Sequence, residues 1–144
     1  MQVEIREPRT PEEFRSYYWL RWKVLREPWT QDRESEKDHH ENDAVHLMAC
    51  LGDQVLGVGR LHFNSPDQAQ IRFMAVEPEY VRRGVGSAVL KELEARARAM
   101  GARQIVLNAR DPAVFFYQKH GYEILGQSET LFEAIPHTRM GKAL

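Results

Sequence analysis

Ile71-Arg72-Phe73-Met74-Ala75-Val76-Glu77-Pro78-Glu79-Tyr80-Val81-Arg82-Arg83-Gly84-Val85-Gly86-Ser87 decides the reading of this chain. An apolar strand runs into a short basic turn with two glycines, and the turn opens a long helix. Such a junction gathers several backbone N–H groups without helical partners at the positive end of the helix dipole. It is a seat for a phosphate-bearing ligand.

Outward from that junction the pattern is of alternating strands and helices. Towards the N-terminus, Val3 and Ile5 alternate with polar neighbours as a first strand. Thr10-Pro11-Glu12-Glu13 then reads as a capping box with Pro at the first helical position. Phe14, Tyr17, Tyr18 and Leu25 follow at helical spacing, which predicts a helix over about residues 11–26. The polar stretch from Glu27 to Asn42 reads as a loop or short irregular helix. Val45 to Leu51 and Val55 to Phe63 are strand-like runs joined by Gly52-Asp53-Gln54, a hairpin signal, and Gln70 to Val76 is a further strand.

Towards the C-terminus, a helix from about Gly84 to Met100 places Val85, Val89, Leu93, Ala97 and Met100 on one face, and Gly101 stands where a C-cap glycine belongs. Gln104 to Asn108 reads as a strand buried on both faces. Asp111-Pro112 opens a short helix ending near His120-Gly121. Tyr122 to Gly126 and Leu131 to Met140 read as terminal strands separated by a polar turn. The sum is an α/β domain with a mixed sheet and helices on both faces.

The chain's 144 residues suit one domain over 1–144, long enough to bury a core. Twenty Lys and Arg against 21 Asp and Glu leave no global field to attract nucleic acid or an anionic membrane. Trp19, Trp22 and Trp29 are expected in the core and the substrate wall, not as stacking platforms for bases. The single Cys50 excludes an internal disulfide, which suits a reducing compartment. No apolar run approaches the ~20 residues of a membrane span, and the first residues carry no secretion signal. A cytoplasmic protein is expected. His39-His40-Glu41-Asn42-Asp43-Ala44-Val45-His46 lacks the spacing of a helical zinc motif, so no metal is expected.

The glycine turn Arg82-Arg83-Gly84-Val85-Gly86-Ser87 fits neither common nucleotide loop. The dinucleotide fingerprint needs a third glycine where Val89 stands, and seven residues separate Val76 from Gly84. The ATP-binding P-loop needs four residues between its glycines and a Lys-Ser/Thr pair after them. On spacing alone, the glycines serve either as simple turn formers or as a binding loop. The two adjacent arginines match a diphosphate in charge and geometry.

Met74 to Tyr80 followed by Arg82-Arg83-Gly84-Val85-Gly86 resembles the acetyl-CoA motif of the GNAT N-acetyltransferase superfamily. Leu107-Asn108-Ala109 and Phe116-Tyr117-Gln118-Lys119-His120-Gly121-Tyr122 resemble the second half of that pattern. Phe132-Glu133-Ala134-Ile135-Pro136-His137, then Met140, is similar to the ElaA-like branch of small bacterial members. The resemblance spans roughly residues 45–142. The chain departs from it at Val81, at Arg110 and at Ala134, where the family usually carries Gln or Arg, Asn and Gly.

The resemblance implies a mixed, mostly antiparallel sheet splayed at the cofactor site. It implies acetyl-CoA as co-substrate, held by Met74, Ala75, Val76, Arg82, Arg83, Gly84, Val85, Gly86, Ser87, Asn108 and Phe116. The reaction implied is acetyl transfer to a primary amine by direct attack. A tetrahedral oxyanion needs a fixed N–H donor, for which the Val76 amide is the candidate. Tyr117 is the implied acid for the departing thiolate. For the base no carboxylate precedes Met74 on its strand, so Glu133 and His137 are candidates, with His46 and Arg60 as further base or acceptor contacts. The acceptor is expected to be a small-molecule or peptide amine, and dimerisation through the terminal strands is plausible. A non-catalytic acyl-CoA-binding sensor is the alternative.

Overall fold

A computed structural model describes residues 2–144. Seven strands form one sheet in the order β1-β2-β3-β4-β5-β7-β6. They are β1 (Glu4–Arg6), β2 (Val45–Leu51), β3 (Gln54–Ser65), β4 (Gln68–Val76), β5 (Gln104–Arg110), β6 (Glu123–Leu131) and β7 (Ile135–Ala143). Every neighbouring pair is antiparallel except β4 and β5. Three helices, α1 (Pro11–Leu25), α2 (Val85–Ala99) and α3 (Val114–Lys119), cover the two faces.

Local chemistry explains the elements. Thr10 caps α1 by accepting the Glu13 N–H at 3.1 Å, while the Glu13 carboxylate reaches back to the Arg9 N–H at 2.7 Å. Tyr17 and Leu20 of α1 pack on Met48, Cys50, Val58 and Ala75 on one face of the sheet. Val85, Val89, Leu90, Leu93 and Ala97 of α2 pack on Leu47, Leu61, Ile71 and Leu107 on the other. Side chains of that size are worth about 1.5–3 kcal/mol each when fully buried. The connection from β4 through α2 to β5 is the crossover that lets those two strands run parallel.

Two features of the central strands position everything downstream. In β3 and β4 the register shifts between Val58 and Arg60, opposite Phe73, whose φ is +61°. That extra residue is a β-bulge, which bends β4. The β4–β5 pairing then stops at Ile71 and Leu107, so residues 72–76 and 108–110 part from one another. Close approach of α2 to β3 requires glycine at Gly57, where a Cβ would fall 2.6 Å from a γ-carbon of Val85.

Several boundaries differ from the sequence reading. β6 continues to Leu131, and the last turn is Phe132-Glu133-Ala134, not the polar segment before it. Phe132 and Glu133 both take positive φ, 54° and 56°, without the Gly or Asn that normally announces such a hairpin turn. Met100 stands at the end of α2 and is exposed, and so are Trp19 and Trp29, because the core closes without them.

Gly57→Ala is expected to destabilise the fold by about 1–3 kcal/mol. The contact is with a γ-carbon of β-branched Val85, whose χ1 has little freedom to yield. Urea unfolding of the variant beside the parent checks this.

Candidate active site

The parting of β4 and β5 creates a cavity of about 350 Å³. Met74, Phe73 and Arg72 line one side, with Leu107, Asn108 and Arg110 opposite and Tyr117 at its base. The Glu77 N–H donates to the Leu56 carbonyl at 2.8 Å. Hydrogen-bond direction alternates along an antiparallel pair, so the backbone N–H and C=O of Val76 point away from β3, towards the split. No strand partner meets them there. The Oδ1 of Asn108 is also buried without a partner.

At the upper end of the split, Gly84 caps α2 at φ +85°, and Arg82 takes φ +63°. No side chain caps this helix, so the N–H groups of Val85, Gly86 and Ser87 remain free. Arg82 and Arg83 flank them and are exposed. A Cβ on Gly86 would stand 3.5 Å from both the Phe116 ring and a Val76 methyl, so the loop, β4 and α3 converge. Ser87 Oγ lies 2.9 Å from His120 Nε2, which ties α2 to α3 beside those amides.

Tyr117 is 6% exposed and packs edge-on against Phe116 and Tyr122, with ring centroids 5.1 and 5.6 Å away. Burial raises the pKa of its hydroxyl, which therefore stays protonated at neutral pH. His137 lines the cavity from β7. Its Nδ1 is 3.0 Å from the Ile135 carbonyl, which only accepts, so in the neutral ring Nδ1 carries the proton and Nε2 the lone pair.

The other residues singled out from the sequence lie elsewhere. Glu133 is exposed in the β6–β7 turn and does not line the cavity. His46 is enclosed between the Tyr17 hydroxyl at 2.8 Å and the Glu41 carbonyl at 2.7 Å. Arg60 is wholly buried and bonded to Asp38, Glu41 and His62. Both hold up the site's wall and do not reach into the cavity.

What the sequence reading missed is the anchor of the loop 30–44. Asp38 accepts from Arg60 at 2.5 Å and from Arg72 at 2.8 Å, and Glu41 accepts from Arg21 at 2.9 Å and Arg60 at 2.7 Å. This lays Asp38, His39 and His40 over the cavity, with His40 stacked on His62 at 4.0 Å. Burial alone would raise the Asp38 and Glu41 pKa values. The arginine hydrogen bonds and charges outweigh it and hold both carboxyls below their ordinary range. A carboxylate so strongly ionised is a poor proton acceptor at neutral pH. His62 is pushed down to about 4 by burial, then by Arg60 and His40, and both its nitrogens are engaged. His137 presents a lone pair at Nε2 from β7, and His39 and His40 line the cavity from the overlying loop, His40 with its Nδ1 held by Asp43.

A sequence profile of the acetyltransferase (GNAT) family matches residues 13–122. The chain belongs to that family. The uncharacterized N-acetyltransferase YjcF of Bacillus subtilis is 32% identical over 131 residues, covering 91% of this chain and 93% of its own. Escherichia coli ElaA superposes with a TM-score of 0.81 at 17% identity, over 98% of this chain and 99% of that one. An aminoglycoside 6′-N-acetyltransferase complexed with coenzyme A superposes with a TM-score of 0.80 at 15% identity, over 99% and 97%. At these identities the two structures share the GNAT fold with this chain.

The loop anchor has a signature in acid. Asp38 and Glu41 have depressed folded pKa values, so their stabilisation is present above the ordinary carboxyl pKa of about 4 and is lost as pH falls from there through the lower folded values. His62, ordinarily near 6.5 and here about 4, adds a loss across that interval, because the unfolded chain takes up its proton first. Tm is expected to decline below about pH 6.5 and more steeply below about pH 4.5. Asp38→Asn should lower stability at pH 7 by about 2 kcal/mol and flatten the acid limb. Thermal melts from pH 7 to pH 3 on both proteins check this.

Proposed function

We propose that the protein transfers the acetyl group of acetyl-CoA to a primary amine by direct attack, without a covalent enzyme intermediate. The observation that carries this reading is the split between β4 and β5, which has free helix amides at one end and a protonated tyrosine at its base. The described residues fit coenzyme A: the amides of Val85, Gly86 and Ser87, with Arg82 and Arg83, suit its two phosphates. The unpaired backbone of Met74–Val76 suits an extended arm added as a strand would be, and the orphaned Asn108 Oδ1 faces the same need for a donor. The same-fold aminoglycoside acetyltransferase, complexed with coenzyme A, supports this choice.

Acetyl-CoA supplies an acetyl group already activated as a thioester. The chain's residues then have three tasks. The Val76 N–H is directed into the split, where it donates to the carbonyl oxygen as negative charge develops. Tyr117 holds a proton at its hydroxyl for the departing sulfur. His137 accepts the amine's proton at Nε2, since an alkyl ammonium with pKa near 10.4 cannot attack until it is deprotonated. Glu133, exposed at its hairpin tip, is left without a part.

Coenzyme A is expected to raise Tm, whereas ATP and NAD should not. Gly84→Val should raise the Kd for coenzyme A about tenfold, because its φ of +85° costs a branched residue about 1–2 kcal/mol. Tyr117→Phe should lower kcat for acetyl-CoA-dependent thiol release about 100-fold with coenzyme binding unchanged. No stabilisation by coenzyme A would sink the assignment. Binding without turnover on any amine would make the protein a sensor instead.

A further inference from the structure

Two guanidinium groups meet at the mouth of the cavity with no carboxylate between them. Arg26 Nη1 and Arg110 Nη2 donate to the same acceptor, the carbonyl of Leu25, at 3.2 and 2.9 Å. Leu25 is the last residue of α1, so its carbonyl belongs to the negative end of the helix dipole. That end amounts to about half an elementary charge, against two full positive charges. The remaining Arg26 contact is Nε to the Ser35 carbonyl at 3.0 Å, also neutral. Arg26 Nη2, and Nε and Nη1 of Arg110, have no partner among the described residues.

The burial makes this arrangement costly. Arg26 is only 4% exposed, held between the rings of Phe73 and Phe132 at 5.5 and 5.4 Å, and both arginines line the cavity. Burial, followed by repulsion from Arg110, Arg72 and Arg21, pushes the Arg26 pKa down to about 10, and burial lowers that of Arg110. Among the described residues no carboxylate is bonded to either arginine, and only the wholly buried Glu36 offsets the Arg26 charge, at longer range. Asp38 is committed to Arg60 and Arg72, Glu36 binds the Glu34 N–H, and Glu129 on β6 is exposed and bonded to neither arginine. A buried cation is ordinarily paired. Here one carboxylate at longer range stands against two guanidiniums, and a bonded anion has to come from outside the chain.

We propose that Arg26 and Arg110 form an anion subsite for the acceptor, so that the acceptor is a small amine that also carries a carboxylate or phosphate group. This rests on the acetyl-transfer reading above. The subsite lies on the α1 side of the sheet, away from the glycine loop that suits the coenzyme's phosphates. The planar forks match a two-oxygen anion. A cavity of 350 Å³ is at the small end of ligand sites and suits an amino-acid-sized molecule. The same surplus of positive charge favours the neutral form of the bound amine and repels polyamines.

The test uses the whole protein saturated with coenzyme A or acetyl-CoA. The compounds are a set of free amino acids with their carboxamides, phosphoethanolamine with ethanolamine, and spermidine. Thiol release and the Tm shift caused by each compound are read in parallel for the parent, Arg110→Gln and Arg110→Lys. At least one anionic amine is expected to exceed its uncharged counterpart at least tenfold in kcat/KM. Arg110→Gln should remove that preference through KM, with kcat and coenzyme affinity kept, and Arg110→Lys should restore part of it. The amino-acid and phosphoethanolamine arms tell a carboxylate from a phosphate. Anion-dependent Tm shifts that Arg110→Gln abolishes, without any turnover, would uphold the subsite and sink acetyl transfer. Turnover of carboxamides or spermidine as good as that of the anionic amines would overturn the subsite and leave acetyl transfer standing. So would anionic amines that neither shift Tm nor react.

Discussion

Parallel strands that pair for four residues and then part leave backbone polar groups facing each other across a gap. Between β4 and β5 the last paired residues are Ile71 and Leu107. Unpaired backbone groups in a protein interior are costly unless something bonds them. The bulge at Phe73 bends β4 away, and no chain segment closes the opening. The split is thus a defect in the sheet with unmet hydrogen-bonding groups along its edges. The glycine loop, the α2 N-terminus, Tyr117 and His137 matter because each is anchored to a strand or helix bordering that gap.

Around the gap the two faces of the sheet are built by different physics. On the α2 side the packing is almost wholly apolar, and glycines at Gly57 and Gly59 let the helix sit close. On the α1 side, beyond Tyr17 and Leu20, the interior is ionic. Arg21 and Arg60 are fully buried and share Glu41, while Asp38 joins Arg60 to Arg72. Such pairs contribute little net stability against apolar replacements, but breaking one is severe. Their effect here is to fix a loop rich in polar residues over the cavity. That division places an apolar wall opposite a charged one.

The charged wall has a definite sign. Asp38 and Glu41 are consumed by Arg21, Arg60 and Arg72, which leaves Arg26 and Arg110 with only backbone carbonyls. A fold shared at under 20% identity determines little about the acceptor. The arrangement of arginines on one wall is the feature on which the proposed acceptor preference rests.

From its residues alone the chain determined the order of strands and helices, the capped start of α1, and the glycine turn at Gly84 that opens α2. These features depend on neighbours a few positions away, and local sterics and hydrogen bonding suffice to specify them. The end of β6 was not legible, because Phe132 and Glu133 adopt positive φ without a residue that prefers it. Nor was the fate of Arg60 and His46, which as polar residues on the hairpin were candidates for base or acceptor contacts and are instead enclosed. Asp38 and Glu41 come to Arg60 from about twenty positions away in sequence, and Arg110 meets Arg26 across 84. Only the folded chain decides which charges are spent on one another and which are left over. Electrostatic pairing depends on distance in space, and no periodicity along the sequence encodes it.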